Sequence, residues 1–348
     1  MSPSHPNQGP YAEEWLAFEE ATGGRFCCSG SALDVREQFN GLQGQLASQI
    51  PPPTDEVVTA DYTTNDNVPV RVYKPANASL GLALGLYIHS GGWVAGSVDG
   101  EDHLLRQLAL SVPCVLATPE YRLAPENPFP AALDDCVSAY KFMVAAAESL
   151  GGDATKLFIV GGSAGGNLSL TTALSIVAPE RPEDGAVVPR GVFALCPAVV
   201  ASKAVSRLPD DLKAFFHGPE AYADAAMIGK QVVESCGGKR DSLNGSEVHL
   251  LTHDLDAFTG SSDPAHPLIS PGFHPKLSAL PYVYSTTSNK DPLNDDAMML
   301  RHKLKQEGVE VELREYDGYP HFFHILSHLQ GSQRFMADLV DAIRRQTH

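Results

Sequence analysis

The chain has 348 residues, 43% of them hydrophobic and 19% charged, and this globular composition excludes a largely disordered protein. Its 42 acidic residues against 25 basic ones give a net charge of −17, which argues against nucleic acid or an anionic membrane surface as the main partner. No stretch reaches the roughly 18 consecutive apolar residues of a transmembrane helix, so we expect no membrane span.

The N-terminal residues and the cysteines indicate in which cellular compartment the protein resides. Residues 1–11 are polar and Pro-rich, and they lack the basic and apolar regions of a signal peptide. The cysteines form no C-x-x-C pair and follow no disulfide framework, so we expect free, mostly buried thiols. They are Cys27, Cys28, Cys114, Cys136, Cys196 and Cys236. Free thiols are typical of a reducing compartment, and we therefore expect a cytoplasmic protein.

Two predicted helices open the chain ahead of any strand. One covers residues 12–22 and the other covers residues 33–49. Residues 50–53 then break the helical pattern, because three consecutive prolines cannot continue a helix. We therefore predict that residues 1–53 form a helical arm that contributes to a cap.

A hairpin and a buried strand follow the arm. Residues 56–64 and 68–73 alternate polar and apolar side chains about a turn at 65–67, as in an antiparallel hairpin. Residues 82–89 are almost continuously apolar, which predicts a strand that is buried on both faces.

Strands and helices alternate through the rest of the chain, apart from one interruption. We predict strands over 113–118, 156–160, 191–195, 282–287 and 309–316, and helices over 101–110, 130–150, 164–177, 292–307 and 322–345. This alternation predicts an α/β fold with a mostly parallel sheet covered on both faces. Residues 203–263 carry no clear strand, so we predict a helical cap insertion there, between core segments 54–202 and 264–348.

A Gly-x-Ser-x-Gly sequence lies between the strand over 156–160 and the helix over 164–177. It reads Gly161-Gly162-Ser163-Ala164-Gly165. The turn between such a strand and helix is so tight that the residues flanking the serine must be small. The hydroxyl then projects beside the helix N-terminus, where free N–H groups stabilise an oxyanion. The pattern predicts that Ser163 is a catalytic nucleophile.

A serine nucleophile needs a basic histidine and an acid that orients it. Asp291 follows the strand over 282–287, and His321 follows the strand over 309–316. The chain order Ser, Asp, His is one that is known for this kind of turn. Because the carboxyl ends of parallel strands meet at one edge of a sheet, we predict that Ser163, His321 and Asp291 form a catalytic triad.

Neighbouring acidic and histidine residues are alternatives. Asp295 and Asp296 fall one turn into the predicted helix, and we interpret them as solvated or capping groups that face away. His324 and His328 fall inside the predicted final helix, and with His321 their spacing would suit a metal. No H-E-x-x-H sequence accompanies them, so we interpret both as core or surface histidines and expect no metal site.

A second glycine-rich sequence follows the strand over 82–89. It reads His89-Ser90-Gly91-Gly92-Trp93, and we call residues 89–93 the oxyanion loop. Glycine lets backbone N–H groups approach a developing negative charge without an intervening side chain. We predict that the amides of Gly91 and Gly92, with that of Ala164 after the predicted nucleophile, form an oxyanion hole.

These sequences together resemble the hormone-sensitive-lipase-like branch of the α/β-hydrolase esterases. The matching blocks are His89-Ser90-Gly91-Gly92-Trp93, Tyr121-Arg122-Leu123-Ala124-Pro125-Glu126, Phe129-Pro130-Ala131-Ala132-Leu133-Asp134-Asp135, residues 161–166, Asp291-Pro292-Leu293, and Tyr316-Asp317-Gly318 with His321. The resemblance implies an α/β-hydrolase fold: an eight-stranded, mostly parallel sheet with helices on both faces and a helical cap. It also implies a serine carboxylic-ester hydrolase that needs no cofactor.

Two residues depart from the family pattern. Ser90 stands where the family usually has the first glycine of His-Gly-Gly-Gly, and Gly162 stands where it usually has an aspartate before the serine. Neither change removes a predicted triad residue, so our leading hypothesis is hydrolysis of small to medium acyl esters, with an acetylated secondary metabolite as a candidate. The departures motivate an alternative, a non-hydrolytic natural-product enzyme that catalyses elimination or cyclisation. A ligand-binding pseudo-enzyme is a third hypothesis, which the complete triad disfavours.

The predicted substrate pocket combines residues of the oxyanion loop with apolar residues of the insertion. We assign Ser90, Trp93, Phe215 and Phe216 to it. Other apolar residues of the arm and insertion are Trp15, Phe18, Phe26, Tyr222, Met227 and Phe258. Packing between cap and core is the better interpretation for most of them. The expected partner is a small-molecule ester, and a homodimer stays open.

Overall fold

The computed structural model describes residues 9–50, 52–179, 186–217, 221, 225 and 252–348. The strands in this part of the chain are Val57–Thr63 (β1), Pro69–Pro75 (β2), Leu82–Ile88 (β3), Cys114–Pro119 (β4), Gly152–Gly162 (β5), Gly191–Leu195 (β6), Tyr282–Thr287 (β7) and Val311–Glu315 (β8). The α-helices are Glu13–Ala21 (α1), Ala32–Ser48 (α2), Asp102–Ser111 (α3), Ala131–Ala145 (α4), Ala147–Leu150 (α5), Ala164–Val177 (α6), Asp210–Lys213 (α7), Thr252–Thr259 (α8), Asn294–Gln306 (α9) and Gln330–Thr347 (α10).

The strands form one eight-stranded sheet in the order β1-β2-β4-β3-β5-β6-β7-β8. β2 pairs antiparallel with both β1 and β4, and all the other neighbouring strands are parallel. The predicted hairpin is confirmed, and Asn67 adopts a left-handed conformation (φ 63°) in its turn. From β3 to β8 the parallel strands share one carboxyl edge. The loops at this edge carry the predicted triad and oxyanion residues.

Apolar packing covers both faces of the sheet. β3 shows this directly, because Leu84, Leu86 and Ile88 belong to one hydrophobic cluster and Ala83 and Tyr87 belong to the other. Successive side chains of a strand point to opposite faces, and all seven residues of β3 are buried. Residues of α4 and α6 join the first cluster, and residues of α3 and α10 join the second. The structure therefore confirms the α/β fold with helices on both sides.

Two predicted helices differ from those in the structure. The helix predicted over 130–150 is α4 followed by the short α5, with Ala146 between them. The final helix begins well after residue 322, because Phe322 has a φ of 64° and a left-handed L-residue cannot continue an α-helix. His324 and His328 therefore precede α10, and their predicted place inside the final helix is wrong.

The arm packs against the core close to the oxyanion loop. Arg36 of α2 donates hydrogen bonds to the carbonyl oxygens of Val94 (2.5 Å) and Ala124 (2.6 Å), and it pairs with Glu126. The described parts of the insertion include α7 and α8. Tyr222 and Met227 lie outside the described residues. Within the described ranges, no helix combines the length and the apolar character needed to cross a bilayer.

Candidate active site

The sharp turn between β5 and α6 carries Ser163. The backbone of Ser163 is left-handed (φ 55°), a conformation that residues with a side chain adopt mainly at strained functional turns. A Cβ added to Gly161 would lie 2.5 Å from the carbonyl oxygen of Gly165, and one added to Gly165 would lie 2.1 Å from that of Ile88. Both positions therefore require glycine, as the Gly-x-Ser-x-Gly pattern predicts.

Ser163, His321 and Asp291 meet at the carboxyl edge of the sheet although they are far apart in the chain. His321 Nε2 lies 2.9 Å from Ser163 Oγ, and His321 Nδ1 lies 2.8 Å from Asp291 Oδ2. All three residues are buried. When Nδ1 carries its proton toward the carboxylate, the lone pair of Nε2 faces the hydroxyl. This is the arrangement that a nucleophile, its base and an orienting acid require.

The surroundings of His321 favour a positive charge on its ring. Burial by itself opposes that charge, but the Asp291 carboxylate attracts it, and the net effect raises the pKa of His321 well above its usual range. Asp291 is itself held in place, because its Oδ1 accepts a hydrogen bond from the N–H of Leu293 at 2.8 Å. The pair can therefore take up a proton from Ser163 and stabilise the imidazolium that forms.

The oxyanion loop packs directly against the Ser163 turn. A Cβ added to Gly165 would lie 2.7 Å from the carbonyl oxygen of His89. Gly91 and Gly92 both have positive φ (127° and 61°), and a Cβ on Gly91 would lie 2.1 Å from the carbonyl oxygen of Ala95. In the part of the chain that the structure describes, no hydrogen bond uses the amides of Gly91, Gly92 or Ala164 as donors. These three amides are available to an oxyanion.

Glu101 is a buried acid that sequence reasoning missed. One of its carboxylate oxygens accepts the N–H of Ser90 at 2.9 Å, and the other accepts the hydroxyl of Tyr87. Burial raises the pKa of Glu101, although these hydrogen bonds oppose the shift. By fixing the amide that precedes Gly91, Glu101 positions the oxyanion loop. In the sequence, Glu101 is simply the first residue of a predicted helix, and no local pattern indicates that it contacts the oxyanion loop.

Ser90 and Gly162, the two departures from the family pattern, face each other. A Cβ added to Gly162 would lie 2.9 Å from Ser90 Oγ and 3.7 Å from His324 Nε2. Both polar atoms are buried without a hydrogen-bond partner of good geometry among the described residues. Burial lowers the pKa of His324 to about 3, with a smaller contribution from His321, so this imidazole is neutral. The two departures are therefore linked, because the Ser90 hydroxyl lies where a side chain at position 162 would point.

Asp295 and Asp296 are buried, so the interpretation that they are solvated and face away is wrong. Asp296 Oδ1 accepts the N–H groups of Val199 (2.6 Å) and Val200 (2.8 Å), and Asp295 Oδ2 accepts the N–H of His217 (2.7 Å). Burial raises the pKa of Asp296 to about 7, although its two hydrogen bonds oppose the shift. Acids in the first turn of a helix usually face water. Here the segment after β6 and the insertion cover the start of α9.

The predicted pocket residues have different surroundings. Trp93 is fully buried and stacks on Phe258, with ring centroids 4.6 Å apart. It packs in the core and offers no surface to a substrate, which corrects its assignment to the pocket. Phe215 and Phe216 are half-buried, and Phe215 lies against the ring of His302 (centroids 5.0 Å apart). Their place in a substrate pocket stays a prediction.

Aromatic residues of the arm line a cavity beside the segment that carries His321. The cavity has a volume of about 310 Å³, and its lining includes Trp15, Phe18 and Phe26 together with Phe322 and Phe323. The arm therefore leaves apolar space next to the residues that directly follow His321.

Glu14 of α1 holds the histidine segment, which we define as residues 316–330. One carboxylate oxygen accepts the hydroxyl of Tyr319 and the N–H of Gly331 (2.9 Å), and the other accepts the N–H of Gln330 (2.8 Å). Burial alone would raise the pKa of Glu14, but these hydrogen bonds outweigh it and lower the pKa. Sequence reasoning missed this contact, because no local pattern links an acid near one end of the chain to a loop near the other.

Cys196 reaches the same edge from β6, which lies between β5 and β7 in the sheet. Its Sγ, a carboxylate oxygen of Asp291 and a ring nitrogen of His321 all lie within 4.8 Å of one another. The backbone of Cys196 is left-handed (φ 39°), and its N–H donates to the carbonyl oxygen of Thr286 at 3.1 Å. Cys114, Cys136 and Cys196 are buried free cysteines, as expected. Cys28 is also buried, Cys27 is half-buried, and Cys236 lies outside the described residues.

Comparisons with known proteins place this chain among esterases. A family model described as alpha/beta hydrolase fold matches residues 85–325. The chain is 33% identical over 341 residues to a versiconal hemiacetal acetate esterase from Aspergillus parasiticus, with 96% of this chain and 98% of the relative covered. It is 29% identical over 338 residues to an esterase of the same name from Dothistroma septosporum, with 96% and 94% covered.

A solved structure of similar architecture extends this result. An esterase from the archaeon Pyrobaculum calidifontis superposes with a TM-score of 0.77 at 27% identity, over 97% of this chain and 99% of that chain. The family match spans more than half of the chain and includes both glycine-rich sequences. The chain therefore belongs to the hormone-sensitive-lipase-like branch of the α/β hydrolases and is a serine hydrolase of the carboxylesterase family.

Proposed function

We propose that the protein hydrolyses small to medium acyl esters, acetate esters foremost, and that its substrate is an acetylated secondary metabolite. The observation that carries the proposal is the hydrogen-bonded row of Asp291, His321 and Ser163, with separations of 2.8 and 2.9 Å. The two versiconal hemiacetal acetate esterases, similar over nearly their whole lengths, support acetate as the acyl group.

Acylation begins at the serine hydroxyl. Ser163 Oγ attacks the ester carbonyl carbon while His321 Nε2 takes the hydroxyl proton, and Asp291 stabilises the imidazolium through its hydrogen bond to Nδ1. His321 then gives that proton to the departing alcohol oxygen, which leaves an acyl group on Ser163. The pKa of His321, raised by Asp291, suits a group that must hold this proton between the two steps.

The oxyanion loop and the start of α6 stabilise the negative charge that develops on the carbonyl oxygen. The amides of Gly91, Gly92 and Ala164 are the donors in this proposal, and each such donor contributes about 3 kcal/mol to transition-state stabilisation. Deacylation repeats the chemistry with water as the nucleophile. His321 takes a proton from water, the hydroxide attacks the acyl carbon, and Ser163 recovers its proton as the acid leaves.

The cavity between the arm and the histidine segment supports a substrate with an apolar alcohol group. Its volume of about 310 Å³ is large enough for a ring system, and five of its lining residues are aromatic: Trp15, Phe18, Phe26, Phe322 and Phe323. This cavity supports a short acyl group on a bulky aromatic alcohol as the substrate class of the proposal.

The test is hydrolysis of p-nitrophenyl esters from acetate to dodecanoate and of the acetate ester of a bulky aromatic alcohol. Wild type, Ser163→Ala and the matched control Ser175→Ala are compared. Ser175 lies in α6, the helix that Ser163 directly precedes, and its hydroxyl donates a hydrogen bond to the carbonyl oxygen of Thr171 at 2.8 Å. We expect turnover to be highest with acetate, to be lost in Ser163→Ala and to persist in Ser175→Ala.

The linked departures at Ser90 and Gly162 favour one second candidate, a non-hydrolytic reaction on a natural product. In that case wild type would release no acid from any ester, although a fluorophosphonate probe would still label Ser163. Highest turnover with dodecanoate would contradict the proposed preference for short acyl groups while leaving the esterase activity in place.

A further inference from the structure

We propose that Cys196, Asp291 and His321 form a binding site for a thiophilic divalent cation such as Zn²⁺ or Cd²⁺, and that the bound cation inhibits the esterase. The inference rests on the proposed function, because inhibition presupposes that His321 acts as the base. The metal site itself is a separate property that can be measured without an ester.

The sheet brings the three ligands together. Neighbouring strands β5, β6, β7 and β8 deliver Ser163, Cys196, Asp291 and His321 to one carboxyl edge. Asp291 and His321 are held by their hydrogen bond of 2.8 Å, and the Cys196 backbone is fixed by Thr286, whose carbonyl oxygen and hydroxyl both accept its N–H. The trio is thus part of the folded core, and no loop has to close to assemble it.

The donor set and its spacing suit such a cation. Thiolate, imidazole and carboxylate are the side chains that bind zinc, with bond lengths of about 2.3 Å to sulfur and about 2.0–2.2 Å to nitrogen and oxygen. In the tetrahedral geometry that zinc prefers, two such donors lie about 3.5 Å apart. The three donor atoms lie within 4.8 Å of one another, so side-chain shifts of about 1 Å bring the most widely separated pair to this spacing.

Charge balance favours the same class of ion. The thiolate of Cys196 and the carboxylate of Asp291 together carry two negative charges, which a divalent cation neutralises in a buried site. In the part of the chain that the structure describes, one group of three His, Cys or acidic side chains has its donor atoms close enough to share a metal ion, and it is this trio. The thiol selects thiophilic ions over Mg²⁺ and Ca²⁺, which prefer oxygen ligands.

Binding would block the base whichever ring nitrogen it uses. Cys196 loses its thiol proton to solvent as the metal–sulfur bond forms. A cation on His321 Nε2 occupies the lone pair that must accept the Ser163 proton. A cation on Nδ1 replaces the hydrogen bond to Asp291 and leaves the ring proton on Nε2, so this nitrogen can no longer act as a base.

The experiment titrates Cd²⁺ into wild type, Cys196→Ser, Cys196→Ala and the matched control Cys114→Ala. Cys114 is another buried free cysteine, located at the start of β4. Cys236→Ala is added, and circular dichroism establishes that each variant is folded. Two readouts are recorded together: the ultraviolet charge-transfer absorption of a cadmium–thiolate bond, and hydrolysis of p-nitrophenyl acetate.

In wild type we expect the cadmium–thiolate absorption to saturate at one Cd²⁺ per chain. Esterase activity should fall in parallel and recover when EDTA is added. Both Cys196 variants should lose the band and need roughly 10- to 100-fold more Cd²⁺ for half-inhibition, while Cys114→Ala and Cys236→Ala follow wild type. A band that persists in the folded Cys196 variants, or inhibition that is unchanged in them, overturns the inference. If wild type hydrolyses the ester but shows no cadmium–thiolate absorption with Cd²⁺, the metal site is refuted and the proposed function stands. A Cys196-dependent band on a protein without esterase activity keeps the site and refutes the proposed function.

Discussion

The turn that carries Ser163 and the segment that carries His321 meet at 2.9 Å, but they are held in different ways. The Ser163 turn is set by neighbours in the chain and by the adjacent strand, since Gly161 and Gly165 leave no room for a side chain. The histidine segment is held by remote residues: Ser288 and Asn289 after β7 bond to Tyr319 and Gly318, and Glu14 of the arm bonds to Tyr319 and Gln330. The nucleophile should therefore tolerate changes in the arm, whereas the position of the base should depend on them.

The largest expected effect comes from Asp291→Asn, which keeps the shape of the triad but removes its negative charge. We expect kcat to fall by about 10⁴-fold, because an amide stabilises the wrong tautomer of His321. Activity requires a neutral His321, so the activity of wild type decreases as the pH falls below the raised pKa of this ring. Removing the carboxylate lowers that pKa and moves the acidic limb of kcat/KM to lower pH.

The measurement for Asp291→Asn is a pH profile of kcat/KM beside wild type and Asp317→Asn. Asp317 is an exposed acid in the histidine segment, and its variant should keep the wild-type profile. An acidic limb at the same pH in Asp291→Asn and wild type would contradict the coupling between the two side chains.

Gly91→Ala should have the next largest effect, and it tests the locally determined part of the site. The added Cβ would lie 2.1 Å from the carbonyl oxygen of Ala95 at a φ of 127°, so the oxyanion loop must move. We expect kcat to fall by about 10²- to 10³-fold, the cost of losing one oxyanion donor. Gly41→Ala is the control, because its Cβ meets nothing within 4 Å and it should retain full activity. Wild-type kcat in Gly91→Ala would exclude these amides as the oxyanion hole.

Glu14→Ala tests the part of the site that is held from a distance. It removes three hydrogen bonds to the histidine segment and its flank, so we expect about tenfold lower kcat with little change in KM. The free energy of unfolding should fall by about 1–2 kcal/mol, as measured by urea denaturation. Glu13→Ala, an exposed neighbour, should change neither quantity. Partial rescue of kcat by Glu14→Gln separates positioning of His321 from a general loss of stability.

Asp296→Asn should affect activity least, by less than about threefold, because an amide oxygen can still accept the N–H groups of Val199 and Val200. It should instead change how stability depends on pH. Burial raises the pKa of Asp296 to about 7, so the folded protein holds this proton more tightly than the unfolded chain does. The stability of wild type should therefore fall as the pH rises from about 4 through 7, and the variant should lose this component. The measurement is the thermal unfolding temperature of both proteins across that pH range. If this temperature depends on pH equally in wild type and Asp296→Asn, a buried, protonated Asp296 is contradicted.

The sequence by itself determined the features that depend on local sterics and periodicity. The pattern around Ser163 predicts its turn because glycine is the one residue type that fits there, and continuous apolar runs predict the buried strands. The order of Ser163, Asp291 and His321 after three strands sufficed to place them at one edge. Parallel strands share that edge whatever their side chains are. The fold class and the residues that meet at the site followed from these rules.

The tertiary structure alone decided which residues support the site. Whether Asp296 is solvated, whether Glu14 reaches the histidine segment, and whether Cys196 lies beside His321 depend on packing between segments that are distant in the chain. The helix predicted from residue 322 failed for the same reason. The segment after His321 contacts the arm through the ring pairs Phe322–Phe39 and His328–Phe18, and Phe322 adopts a left-handed backbone that local helix propensity does not predict. Local sequence patterns restrict the backbone conformations that a residue can adopt, whereas packing in the folded core determines which residues it contacts.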